Sequence, residues 1–154
     1  MARSHLTLAA LATSAVPGLD IAAAASFGAG QSSDFDAAII TGRDGRHWII
    51  RVPRNPRAEA EQSADLVALR ALSTGVRTRL PFAVSAFAGQ VPVDSTRGIV
   101  YEFVYGTKTP LDSYTAGPDS LAASVGRAIA AIHGLPTSFV ADAGLPVMTA
   151  GECL

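Results

Sequence analysis

The chain has 154 residues, enough for one ordinary domain that buries about two-thirds of its unfolded surface. Hydrophobic residues make up 49% and charged residues 16%, and acids and bases are interspersed to a net charge of −1, which argues against an extended nucleic-acid-binding face. The one cysteine, Cys153, excludes an internal disulfide and a cysteine zinc site, and fits the reducing cytoplasm.

The N-terminal stretch has an early arginine, a short apolar run and small residues further on, so it loosely imitates a secretory signal. The preferred reading is a helix within residues 1–20. Ser4 can cap it, Leu8, Leu11, Ala12 and Ala15 share one face, and Pro17-Gly18 ends the pattern. No stretch approaches the roughly 18–20 apolar residues of a membrane span, so no membrane association is expected.

Ile21 to Ser26 has strand length, although its alanines weaken that reading. The loop Phe27-Gly28-Ala29-Gly30-Gln31-Ser32-Ser33 follows. Glycines between two strands let backbone N–H groups approach a phosphate, yet a lone G-x-G is more often only a turn. Ala37 to Ile40 and Trp48 to Ile50 then flank Arg43-Asp44-Gly45-Arg46, a strong hairpin signal. Arg51 comes straight after Ile49-Ile50, and Arg54 follows Pro53. A cation at the end of a buried strand is costly unless an anion meets it.

Asn55-Pro56-Arg57 breaks the strand and starts a helix running roughly Ala58 to Ser73, with Leu66, Val67, Leu69 and Leu72 as its apolar face and Gly75 closing it. Glu61 and Asp65 sit four apart on one face. An acid there is the expected partner for Arg51; a solvated acidic face near the helix N-terminus is the rival reading. Arg77 and Arg79 lead into the extended segment Leu80 to Val84. A second hairpin spans Ala86 to Val91 and Gly98 to Val104, with its turn at Asp94-Ser95-Thr96-Arg97-Gly98. A Thr/Pro/Ser/Gly-rich loop, Thr107 to Asp119, precedes an amphipathic helix from Ser120 to His133 whose apolar face is Leu121, Val125, Ala128, Ile129 and Ile132, with Gly134 as C-cap. His133 is explained by its place in the last turn. The remaining tail is weakly patterned, and no further folded element is predicted there.

This order gives an α+β fold: about five antiparallel strands with a helix inserted after the third. It resembles the N-terminal lobe of a protein kinase, and more closely the start of an aminoglycoside/macrolide phosphotransferase, nearest to the macrolide 2′-phosphotransferases. The residues carrying the resemblance are Asp44 to Arg54 (DGRHWIIRVPR), Arg79 to Val84 (RLPFAV) and Ala128 to Pro136 (AIAAIHGLP), and it covers most of the chain from about Phe27 onward. It implies a lobe over residues 1–106, then a hinge, linker and first helix of a truncated second lobe over 107–154, the rest of that lobe being absent.

The resemblance also implies roles. Arg51 falls where the family places its phosphate-binding basic residue, which is lysine in many members; the planar fork of arginine makes the exchange plausible but not equivalent. Asp65 falls where relatives carry the helix glutamate, with Glu61 in reserve. Gly28, Gly30 and Ser32 would cover the phosphates. Glu102, Phe103, Val104 and Tyr105 would form the hinge that reads the base through backbone groups. The implied ligand is ATP or GTP with Mg²⁺, and the implied acceptor a small-molecule hydroxyl. Phosphoryl transfer in the family uses an H-G-D-x-x-x-x-N loop and a later metal-binding aspartate. None of His5, His47 or His133 is followed by that pattern, so the chain is expected to be inactive alone and to offer no metal ligands. The alternative is a non-catalytic kinase-like module acting through a partner chain. Either version would leave apolar surface exposed, so self-association is expected.

Overall fold

The computed structural model describes residues 2–28, 34–106, 109–114, 117 and 119–146. They pack as two compact units, one made of Met1–Arg70 and Ser85–Phe103, the other of Ala71–Val84 and Val104–Leu154.

In the first unit, Ser4 Oγ accepts from the Thr7 N–H at 3.1 Å and starts α1 (His5–Ala15). Leu8, Ala12 and Ala15 are buried on one face, and Leu11 packs beside them partly covered. β1 (Ile21–Ser26), β2 (Phe35–Gly42), β3 (His47–Pro53), β4 (Phe87–Val93) and β5 (Thr96–Glu102) form one antiparallel sheet in the order β1-β2-β3-β5-β4. α2 (Pro56–Ser73) is inserted between β3 and β4 and runs on into the second unit.

The β2–β3 turn shows why Asp-Gly stands where it does. The Gly45 N–H donates to the Gly42 carbonyl, the Gly42 N–H donates to the Arg46 carbonyl, and Gly45 takes the positive φ of 78° that closes the loop. The register then sorts side chains between the two faces of the sheet. Ala38, Ile40, Trp48, Ile50, Val52 and Val100 form the core with α1. Burying an isoleucine or valine there contributes about 1.5–3 kcal/mol. Gly89 lets α1 approach β4, since a Cβ on it would stand 2.1 Å from the Ala15 carbonyl oxygen. The opposite face carries Phe35, Ala37, Ile39, Ile49, Arg51, Ile99 and Tyr101, because Ala37 and Ile99 flank Arg51 while Ile39 and Tyr101 flank Ile49.

Several boundaries differ from the sequence-based expectation. Val93 pairs with Thr96, so the β4–β5 turn is only Asp94-Ser95, with Asp94 at φ 52°, and Thr96 to Gly98 belong to the strand. β5 ends at Glu102 and not at Val104. α2 begins at Pro56, where Asn55 Oδ1 accepts from the Ala58 N–H. Its buried residues are Ala58, Gln62, Leu66 and Ala71, leaving Val67 exposed; Gln62 is tolerated inside because its amide donates to the Arg97 carbonyl at 2.8 Å.

The second unit holds a 3-10 turn over Val76–Arg79, a second over Leu111–Ser113, α3 (Leu121–His133) and α4 (Thr137–Asp142). α4 corrects the expectation of an unfolded tail: Pro136 leads it, and the Arg79 guanidinium lies 4.2 Å from the ring centre of its Phe139. Ser120 caps α3 through the Ala123 N–H. Leu121, Val125, Ile129 and Ile132 of α3 are exposed.

Candidate functional site

The face of the sheet opposite α1 carries a cleft of about 290 Å³, walled by Phe27, Gly28, Asp34, Phe35, Ala37, Arg51, Glu61 and Tyr101. Strand pairing sets Arg51 between Ala37 and Ile99 on this face. The Arg51 Nη1 donates to Asp65 Oδ2 at 3.3 Å, and Nη2 lies 3.8 Å from Glu61 Oε1. Both acids project from α2, one helical turn apart. The Arg51 Cζ stands 3.8 Å from the centre of the Phe35 ring, a close cation–π contact. Tyr101 completes the surroundings: burial pushes its phenol above the ordinary tyrosine value, against the lowering influence of the nearby Arg51 guanidinium.

This is a partly exposed cation held by the α2 acids on one side and the Phe35 ring on another while the cleft stays open. Such a group can grip an anion bidentately. The surrounding charge is not purely attractive, because Asp34 and Glu61 line the same cleft.

The other sequence-predicted positions fall as follows. Gly28 lies in the cleft wall with φ 70°, a conformation that favours glycine. Gly30 and Ser32 lie outside the described residues. The Glu102 carboxylate forms an ion pair with Arg46, and its N–H donates to the Ala86 carbonyl at 2.8 Å. The Phe103 N–H donates to the His47 carbonyl at 3.0 Å, and its ring meets Phe27 edge-on at 6.2 Å between centres. Two of the N–H groups assigned to base reading are therefore spent inside the first unit. Val104 and Tyr105 belong to the second unit and are exposed. Arg54 is not at the cleft. Its Nε lies 3.6 Å from Asp36 Oδ1, on a buried carboxylate that also accepts the Arg3 N–H and Nη1, each at 3.1 Å. Sequence reasoning missed Phe35 and Tyr101; the signal was the period-2 alternation that puts Phe35, Ala37 and Arg51 on one face.

Among the described residues no group of three His, Cys, Asp or Glu side chains lies placed to hold a metal ion. No helix among them is long and apolar enough to cross a membrane.

No protein-family profile and no curated protein matches the chain. Solved structures do. Macrolide 2′-phosphotransferase MphH from Brachybacterium faecium, an apoenzyme, aligns at TM-score 0.63 and 22% identity over 96% of this chain and 49% of its own. A type I macrolide 2′-phosphotransferase aligns at TM-score 0.55 and 25% identity, over 99% and 51%. The fold is that of a phosphotransferase N-terminal lobe. A GDP complex of a substituted aminoglycoside 2′-phosphotransferase IIIa, at TM-score 0.66 and 16% identity over 97% of this chain and 48% of its own, extends the likeness beyond the macrolide enzymes. The chain thus spans about half the length of the phosphotransferases it matches.

Proposed function

We propose that this chain is the nucleotide-binding portion of a small-molecule phosphotransferase, taking ATP or GTP in the cleft around Arg51. The observation that carries the reading is the Arg51–Asp65 ion pair, formed between the third strand and the inserted helix and facing an open cleft. In kinase-type phosphoryl transfer a basic residue and a helix acid in that relation hold the nucleotide phosphates. That one of the structurally similar enzymes was solved with GDP supports a nucleotide as the ligand class.

In this proposal Arg51 binds phosphate oxygens, Asp65 fixes its fork, and Gly28 borders the phosphates from the cleft wall. Phe27 and Phe103 supply an aromatic edge beside the cleft, where the Glu102 and Phe103 N–H groups are committed to Ala86 and His47. Mg²⁺, when bound with the nucleotide, would offset phosphate charge; the described residues hold no ligand cluster for it. None of the three histidines is followed by Gly-Asp, and the chain on its own is proposed to bind nucleotide without transferring phosphate to a hydroxyl acceptor.

Titration of MgATP and MgGTP into the folded chain tests the reading. Binding at about millimolar or better is expected, that is, about −4 kcal/mol or stronger. Absence of binding to a chain shown to be folded would leave a kinase-like interaction module instead.

A further inference from the structure

We propose that Phe35 is a positioning residue for Arg51, a ring platform that holds the guanidinium fork over the cleft and keeps the carboxylates of α2 from drawing it away. The inference rests on the reading of the cleft as a nucleotide phosphate site. Arg51 has five N–H donors, and Asp65 and Glu61, at 3.3 and 3.8 Å, both pull from the helix side. With those acids alone, the guanidinium would be free to turn toward α2. Phe35 opposes this from the sheet. It sits two residues before Ala37, the strand partner of Arg51, so its side chain shares the Arg51 face. The ring centre lies 3.8 Å from Cζ. A guanidinium over an aromatic face gains attraction from the ring while its in-plane N–H edge stays available to an anion. The Tyr101 phenol, on the neighbouring strand, also stands in the cleft wall.

Two consequences separate this from simple packing. In this role the ring acts on ligands through Arg51, so the loss of that role is felt by ligands that carry phosphate and not by nucleosides. An ammonium, a compact point charge, cannot use the platform to aim a planar edge.

The experiment compares affinities of the whole chain for MgGDP, MgADP and the parent nucleosides, for wild type, Phe35→Leu, Phe35→Tyr, Arg51→Ala and Phe35→Leu/Arg51→Ala. Phe35→Leu should lose about fivefold in diphosphate affinity with nucleoside affinity unchanged, Phe35→Tyr should restore it, and Phe35→Leu should cost nothing further once Arg51 is alanine. Proton NMR of the Arg51 Nε–H and Cδ protons reads the stack without ligand: upfield ring-current shifts are expected in wild type and Phe35→Tyr and lost in Phe35→Leu. If Arg51→Ala abolishes diphosphate binding while Phe35→Leu does not weaken it, or weakens nucleoside binding equally, the inference fails and the nucleotide reading stands. If the Arg51 resonances do not move in Phe35→Leu, the inference also fails. If the folded wild type binds no diphosphate, both readings fall together.

Discussion

The Arg51 guanidinium and the Asp65 carboxylate meet at 3.3 Å, joining β3 to the third turn of the helix that follows it. Both side chains remain partly exposed, 26% and 48%, so the pair is worth little as a stabiliser and more as an orienting device. Asp65→Asn should therefore change stability by under about 1 kcal/mol and weaken nucleotide binding about three- to tenfold. Calorimetric titration beside thermal melting separates the two effects.

Glu61 should behave in the opposite sense. It is the more distant partner of Arg51, at 3.8 Å, and a negative wall of the same cleft. Glu61→Gln should leave affinity for a polyphosphate unchanged or raise it about two- to threefold by removing repulsion. Titration at two salt concentrations checks this, with the gain shrinking at the higher one.

The buried carboxylate of Asp36 ties Arg3, and through it the start of α1, to β2, and it also meets Arg54. Asp36→Ala leaves two arginines without that partner and should cost about 2–4 kcal/mol of stability. Urea unfolding checks the loss, and nucleotide affinity of the folded fraction should be unaffected because Asp36 points to the face away from the cleft.

Gly89→Ala tests how α1 docks. The added methyl would stand 2.1 Å from a backbone oxygen, an atom that cannot swing aside as a side-chain tip can. A destabilisation of about 3 kcal/mol is expected, seen as a lower melting temperature.

Tyr101 predicts a pH dependence. Burial raises its folded-state pKa above that of the unfolded chain, against the lowering influence of Arg51. The unfolded state therefore releases the phenolic proton first as pH rises. The contribution to stability is complete below the ordinary tyrosine range and is lost as pH climbs through the raised folded value. A phenolate absorbance titration should show one of the three tyrosines ionising late, and Tyr101→Phe should remove that late component.

Much of this was legible in the chain because local signals and tertiary needs agree. Asp44-Gly45 forms the tight turn, Ser4 and Ser120 cap their helices, and the acids of α2 stand where a strand cation requires them. What sequence reasoning missed was set by pairing across strands. Phe35 meets Arg51 because of register, and the destination of Arg54 was hidden because its partner, Asp36, is a lone acid among apolar residues whose facing depends on that register. Glu102 and Phe103 read as a hinge by position, yet β5 extends its hydrogen bonding to Ala86 and His47. The stripe of α2 was misjudged because Gln62 is buried on the strength of one tertiary hydrogen bond, which composition does not reveal.

The central claim is that Arg51 is a phosphate-binding cation. Its most direct test is calorimetric titration of MgATP and MgGTP into the wild-type chain and into Arg51→Ala, each first shown to be folded. The account predicts binding at about millimolar or better in the wild type and its loss in Arg51→Ala. Equal affinities in the two proteins would contradict it.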